Sequence, residues 1–245
     1  MEAFPPRPAP RHVRPQTHRC MRVELVPKAG GGTRSLVRLD EAGRADYARA
    51  TAPLIPRIEG CLASTVLAPR APGGRTKLAS WKPARARWRK VVSASPPGRN
   101  VVVATDVRDC YGSIHPRVVA GSLLRLGADR AMVREIVHLL EGFEAAGVRG
   151  LPIGPGPSAV LANAVLSRVD RAIEACGALH VRWVDDFVMW VPDRAGAERA
   201  LSTFEEALAG AGLRVNRAKT HLFTELSGAR AHLLLPHPAG PSPLR

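Results

Sequence analysis

The sequence predicts an α+β fold in which an antiparallel sheet carries helices on one face. The run Asn100-Val101-Val102-Val103-Ala104-Thr105 reads as a buried strand ending at Asp106. Residues 180–191 hold two short β-branched and aromatic runs that read as the arms of a hairpin. Stretches with apolar residues at helical spacing lie before, between and after them. The order strand, helices, hairpin, helix, strand describes one layered unit.

Taken in order, residues 1–20 are Pro- and Arg-rich and predict a flexible basic arm. Residues 22–26 and 35–39 read as strands around Pro27-Lys28-Ala29-Gly30-Gly31-Gly32-Thr33-Arg34, a glycine-rich turn bracketed by cations. At such a tip, backbone N–H groups together with Lys28 and Arg34 can face a triphosphate. Residues 41–67 place Tyr47, Ala50, Leu54, Ile58 and Leu62 near helical spacing, interrupted by Pro53 and Pro56. Residues 69–97 predict a basic, loop-rich stretch. Helices are predicted over residues 116–126 and 129–145, the second with Met132, Ile136, Leu139, Leu140 and Phe143 on one stripe. The stretch from Gly150 to Pro157 is too rich in Gly and Pro for helix or strand and predicts a shaped loop. Ser158 is expected to cap a helix that runs to about Cys176. Beyond the hairpin, residues 195–211 predict an amphipathic helix, residues 213–215 and 220–223 short strands, and residues 236–245 a frayed tail.

Charge is segregated along the 245 residues. Residues 1–100 carry 20 Lys and Arg against 6 Asp and Glu, so nearly all of the net +15 lies there. No acidic residue falls between Glu59 and Asp106, whereas Arg75, Lys77, Lys82, Arg85, Arg87, Arg89 and Lys90 do, with Trp81 and Trp88 among them. Cations interleaved with aromatic rings suit a phosphate backbone and its bases, and these nine residues are the predicted nucleic-acid contacts. The four cysteines have no CxxC spacing, which argues against both a zinc site and a disulfide framework and fits a reducing cytosol. No run reaches the roughly 18–20 apolar residues of a membrane span. The N-terminal stretch lacks the apolar segment of a secretory signal, so a cytoplasmic location is expected.

Asp185 and Asp186 fall at the hairpin turn between two apolar arms. Two like charges side by side there call for a cationic partner, and a divalent ion with oxygen ligands is the simplest one. A strand ending in Asp106 can lie beside that hairpin, so three carboxylates would converge at one end of the sheet. Such convergence suits two-metal phosphoryl transfer.

Five segments resemble the reverse transcriptase family. Asp106-Val107-Arg108-Asp109-Cys110-Tyr111-Gly112-Ser113-Ile114 is similar to its palm motif A. Gly150-Leu151-Pro152-Ile153-Gly154 through Ser158 and Leu161-Ala162-Asn163 resembles motif B, and Trp183-Val184-Asp185-Asp186 motif C. Asn216-Arg217-Ala218-Lys219-Thr220 resembles motif D, and the Lys28–Arg34 hairpin occupies the place of the fingers motif that holds the incoming triphosphate. The resemblance covers about residues 22–225. It implies a right-hand polymerase palm over residues 100–226 and fingers over 21–99. Residues 227–245 would form a short C-terminal tail, with the thumb reduced or absent.

The resemblance also assigns roles. Asp106, Asp185 and Asp186 would be catalytic, and with the Val107 carbonyl would bind two Mg2+ ions, Mn2+ being an alternative. Tyr111 would screen the sugar 2′ position and favour deoxynucleotides. Gly154 and Ser158 would lie under the template–nascent pair, and Lys219 would protonate the pyrophosphate leaving group. Ile153 stands where many members carry Gln, and Leu-Pro-Ile-Gly-Pro looks more like a bacterial group that includes antiphage-defence enzymes. The implied partners are an RNA template, a DNA product and dNTPs. A structured non-coding RNA, a protein or a second copy of the chain would supply the grip of the thumb. Two alternatives stay open: template-independent or protein-primed DNA synthesis, and a non-catalytic nucleic-acid-binding subunit.

Overall fold

The computed structural model describes residues 21–27, 33–74, 78–94 and 96–234. The basic arm, the frayed tail, Lys28, Arg75 and Lys77 lie outside the described residues. The chain opens with β1 (Met21–Pro27) and β2 (Thr33–Leu39), an antiparallel pair that forms its own two-stranded sheet. Next come α1 (Glu41–Thr51), capped by the Asp40 carboxylate, and α2 (Ile55–Gly60). The helical stretch expected over residues 41–67 is thus broken, as Pro53 and Pro56 require, and it ends in β3 (Val66–Ala68).

Then follow α3 (Trp81–Ser93), β4 (Val101–Asp106), α4 (Cys110–Ser113), α5 (Pro116–Arg125) and α6 (Arg130–Ala145). The second half continues with α7 (Gly156–Ala175), β5 (Leu179–Trp183), β6 (Asp186–Val191) and α8 (Arg194–Ala209). It ends with β7 (His221–Phe223) and α9 (Leu226–Leu234). The main sheet has the order β3-β5-β6-β4-β7. Its neighbours are antiparallel except β3, which runs parallel to β5.

Strand alternation sorts the apolar side chains onto two faces. Val101, Val103, Phe187, Met189 and Val191 join the large core built with α5, α6, α7 and α8. This is the helical layer the sequence predicts. Val102, Val181, Val188 and Trp190 point the other way, against Leu67, Trp88 and Val92, and against Ala229 of α9. Beyond the helical layer expected on one face, the second face carries α3 and α9. Burial on both sides explains why β4 is an unbroken apolar run rather than an alternating one.

Residues 81–93, read as loop, are helical because Pro83 falls in the first turn, where its missing N–H has no intrahelical acceptor anyway. Ser80 caps that turn by accepting from the Lys82 N–H. Of the two short strands expected after α8, β7 forms, whereas Val215 makes only an isolated bridge to Val107. Pro155, not Ser158, is the N-cap of α7, and Ser158 lies within its first turn.

Candidate active site

Pairing of β4 with β6 sets Asp106 directly across from Asp186, and the turn between β5 and β6 supplies Asp185. The Val107 N–H donates to the Asp185 carbonyl at 3.2 Å, which joins the end of β4 to that turn. The segment after α8 closes the site from the far edge. The Asn216 N–H donates to the Asp106 carbonyl at 2.9 Å, and Thr105 and Thr220 share a hydroxyl bond of 2.9 Å. That anchoring brings the Lys219 ammonium to 2.6 Å from Asp106 Oδ2. Asp106, Val107, Asp185, Asp186 and Lys219 are thus brought together.

The cluster carries more negative than positive charge. Asp106 Oδ1 is buried and has no hydrogen-bond partner among the described residues. Desolvation, then the Asp186 and Asp106 charges, push the Asp185 carboxyl up to about 7. Desolvation and Asp106 raise Asp186 to about 6, against the pull of Lys219 and Arg85. The bond to Asp106 raises Lys219 above its ordinary value, so the ammonium stays protonated. No group of three or more His, Cys, Asp or Glu side chains among the described residues is arranged as a ready-made metal cage. The hard oxygen donors, the orphaned Oδ1 and the uncompensated charge nevertheless fit divalent cations, which coordinate carboxylates and carbonyls.

Tyr111 lies half-buried in α4 beside this cluster, and burial first, then the neighbouring Cys110 and Asp185, push its hydroxyl above its usual range. The Gly-Pro loop packs on the same region, with the Leu151 N–H donating to the Tyr111 carbonyl at 2.8 Å and the Val37 N–H to the Ile153 carbonyl at 2.7 Å. Gly154 has φ +124, and an added Cβ would stand 2.8 Å from the Val37 carbonyl oxygen. Its missing side chain thus admits strand β2. Ser158 is fully buried, and its hydroxyl shares a 3.1 Å bond with Tyr47, which commits it to packing against α1 instead of a nucleotide. Arg34 is half-buried on β2.

On α3, Lys82, Arg87, Arg89 and Lys90 are exposed, as is Trp81 at 41%. Trp88 is a correction: at 4% exposure it is a core residue, edge-on to Trp183 at 6.2 Å between ring centroids. Arg85 stands apart from the exposed stripe. Its guanidinium lies 5.6 Å over the Trp183 ring, within electrostatic reach of Asp186.

A second set of residues escaped the sequence reading. Arg182 of β5 is fully buried and grips both oxygens of Asp170 on α7 at 2.8 Å, through Nε and Nη2. Its Nη1 donates to Asn163 Oδ1 at 2.8 Å and to the Val184 carbonyl at 2.9 Å. His180 lies 3.3 Å from the same Asp170. The available signal was polar residues at core-facing positions: His180 and Arg182 two apart on a strand, Asn163 and Asp170 seven apart on an apolar helix.

A five-stranded sheet with paired carboxylates at a hairpin and a third on the adjacent strand defines a polymerase palm. Residues 26–235 match the profile of the reverse transcriptase (RNA-dependent DNA polymerase) family, and the chain belongs to that family. It is 27% identical over 214 residues to the Retron Mx65 reverse transcriptase of Myxococcus xanthus, covering 80% of this chain and 46% of that protein. The chain therefore spans about half the length of this curated relative. Among solved structures it resembles a Candida albicans telomerase in complex with a TWJ fragment of telomeric RNA. That match has a TM-score of 0.56 at 13% identity, over 83% of this chain and 41% of that one, and speaks to the fold. No helix among the described residues is long and apolar enough to cross a membrane.

Proposed function

We propose that this chain is the catalytic core of an RNA-directed DNA polymerase that adds deoxynucleotides to a 3′-hydroxyl along an RNA template. The observation that carries the reading is the under-neutralised cluster of Asp106, Asp185 and Asp186 at one end of the sheet, in a chain of this family. Asp106 and Asp185, assisted by Asp186 and the Val107 carbonyl, would hold the divalent ions, Mg2+ first and Mn2+ as the alternative. Bound ions would lower the pKa of the attacking hydroxyl and neutralise the leaving pyrophosphate.

The remaining work falls to the chain's own groups. Lys219, protonated beside Asp106, holds a proton for the pyrophosphate oxygen as the bond to the α-phosphorus breaks. Asp106 Oδ2, paired with Lys219 in this structure, would become a further oxygen donor for the ions if that pair opened. Lys28 and Arg34 orient the triphosphate, and Tyr111 fills the space that a 2′-hydroxyl would need. The exposed cations of α3, with Trp81, hold the template backbone and stack on its bases. A structured RNA is the favoured template class, and a bacterial antiphage role belongs to the same reading.

Primer extension by the purified chain, with dNTPs or NTPs on a defined RNA template followed by product sequencing, tests the proposal. A complementary DNA copy supports it. A homopolymer or random tract moves the assignment to template-independent synthesis, and absence of product with retained RNA binding moves it to a binding subunit.

A further inference from the structure

The turn that carries the catalytic carboxylates is strained. Val184 has φ 57, a left-handed conformation that β-branched residues rarely adopt. A turn of this kind persists only where its surroundings over-determine it. Both backbone groups of Val184 are held here. Its N–H donates to the Ala68 carbonyl at 2.8 Å, and its carbonyl accepts from Arg182 Nη1 at 2.9 Å. Arg182 has no freedom of its own, because the Asp170 fork fixes the guanidinium plane and Asn163 takes the other bond of Nη1. Asn163 in turn donates through Nδ2 to the Pro69 carbonyl at 2.7 Å, one residue beyond Ala68. The network thus closes a loop through α7, the residues after β3 and the turn itself.

We propose that Arg182, aimed by Asp170 and Asn163, is a positioning residue that holds Val184 in its left-handed conformation so that Asp185 and Asp186 present their carboxylates together. The inference rests on the nucleotidyl-transfer reading for its activity readout, but its geometry stands apart from that reading. A planar guanidinium is needed because it serves both Asp170 oxygens, Asn163 and the Val184 carbonyl at once. An ammonium in its place keeps the charge and loses the fork.

The test compares the full chain as wild type, Arg182→Lys, Val184→Gly and the double variant. Readouts are kcat and KM for dNTP incorporation, Mn2+ affinity by titration, and thermal unfolding. Small misplacement of reacting groups costs up to about a hundredfold in rate. Arg182→Lys should therefore lower kcat by roughly 10- to 100-fold, leave KM within about threefold, and weaken Mn2+ binding. Glycine adopts the left-handed region freely. Adding Val184→Gly should recover most of the lost kcat and Mn2+ affinity without restoring thermal stability. Retention of both properties in Arg182→Lys, or a loss that Val184→Gly leaves untouched, would overturn the proposal. Should Arg182→Lys not fold, Asn163→Ala frees Nη1 while sparing the Asp170 fork, and the same rescue is expected. A wild type that binds Mn2+ but incorporates no nucleotide sinks the polymerase reading and leaves the positioning inference to be judged by Mn2+ affinity alone. A wild type that does neither sinks both.

Discussion

Two buried charge clusters lie within a few residues of each other on one hairpin and are treated in opposite ways. Around Arg182 the opposing charges are matched. Burial pushes the Asp170 carboxyl up, but Arg182 and His180 outweigh it and hold Asp170 below its usual range. At the turn, three carboxylates share Lys219 and the more distant Arg85, and Asp185 rises to about 7. A matched buried pair maintains shape, because removing either partner strands the other. An unmatched cluster is a standing cost that a bound cation would relieve. Substitutions in the two clusters should therefore have opposite effects on stability, the metal-free chain gaining from loss of a turn carboxylate and losing from loss of a partner of Arg182, while both cost activity.

The sharpest contrast comes from Asp185→Asn, which should reduce incorporation on the order of 10³-fold or more while the metal-free chain becomes more stable. Primer extension and urea unfolding on the same preparation check both halves; loss of stability would place Asp185 with the structural cluster. Asp170→Ala should instead lower stability by about 3–5 kcal/mol because Arg182 is left buried and unpaired, with a loss of incorporation because the turn is no longer held. An unchanged urea midpoint would break the comparison.

A parallel pair on α3 separates core from contact. Trp88→Ala should cost about 3–5 kcal/mol of stability. Trp81→Ala should leave stability within about 0.5 kcal/mol and weaken single-stranded RNA binding by about 1 kcal/mol. Equal effects of the two would dissolve the distinction drawn from their burial.

The smallest effect is the pH dependence of the metal-free chain. Unfolded Asp titrates near about 3.9, whereas folded Asp185 and Asp186 are lifted to about 7 and about 6. The folded state therefore holds more protons between these values. Stability from this source is fully present below about pH 4 and is lost as pH rises through 6 to 7. The unfolding free energy from urea titration should be higher at pH 5.5 than at 7.5, by on the order of 1 kcal/mol, and Asp185→Asn should flatten the slope. A midpoint that climbs over the same interval would mean that the carboxylates are already neutralised.

The carboxylate cluster was legible in the sequence because its signals are local: a strand that ends in Asp106, and a carboxylate pair between two β-branched runs. The Arg182 network was not, since its partners lie 12 and 19 residues away and meet only after α7 packs on the sheet. Helix α3 was hidden by Pro83, which reads as a breaker until its place in the first turn is known. Trp88 and Ser158 show the converse difficulty. Residue type suggested contact with nucleic acid and nucleotide, and the packing of α3 on Trp183 and of α7 on Tyr47 placed both inside. At Gly154 the close approach that the structure describes is to strand β2, a neighbour that lies more than a hundred residues away in sequence and leaves no local signal.

Mn2+ binding followed by the loss of the free-ion magnetic resonance signal tests the unmatched cluster most directly. Wild-type chain at pH 7.5 should bind Mn2+ in competition with Mg2+, and Asp185→Asn should bind it at least about tenfold more weakly. That ratio corresponds to 1.4 kcal/mol. Equal binding by the two proteins, or none by the wild type, would contradict the assignment of these carboxylates to a metal-dependent centre.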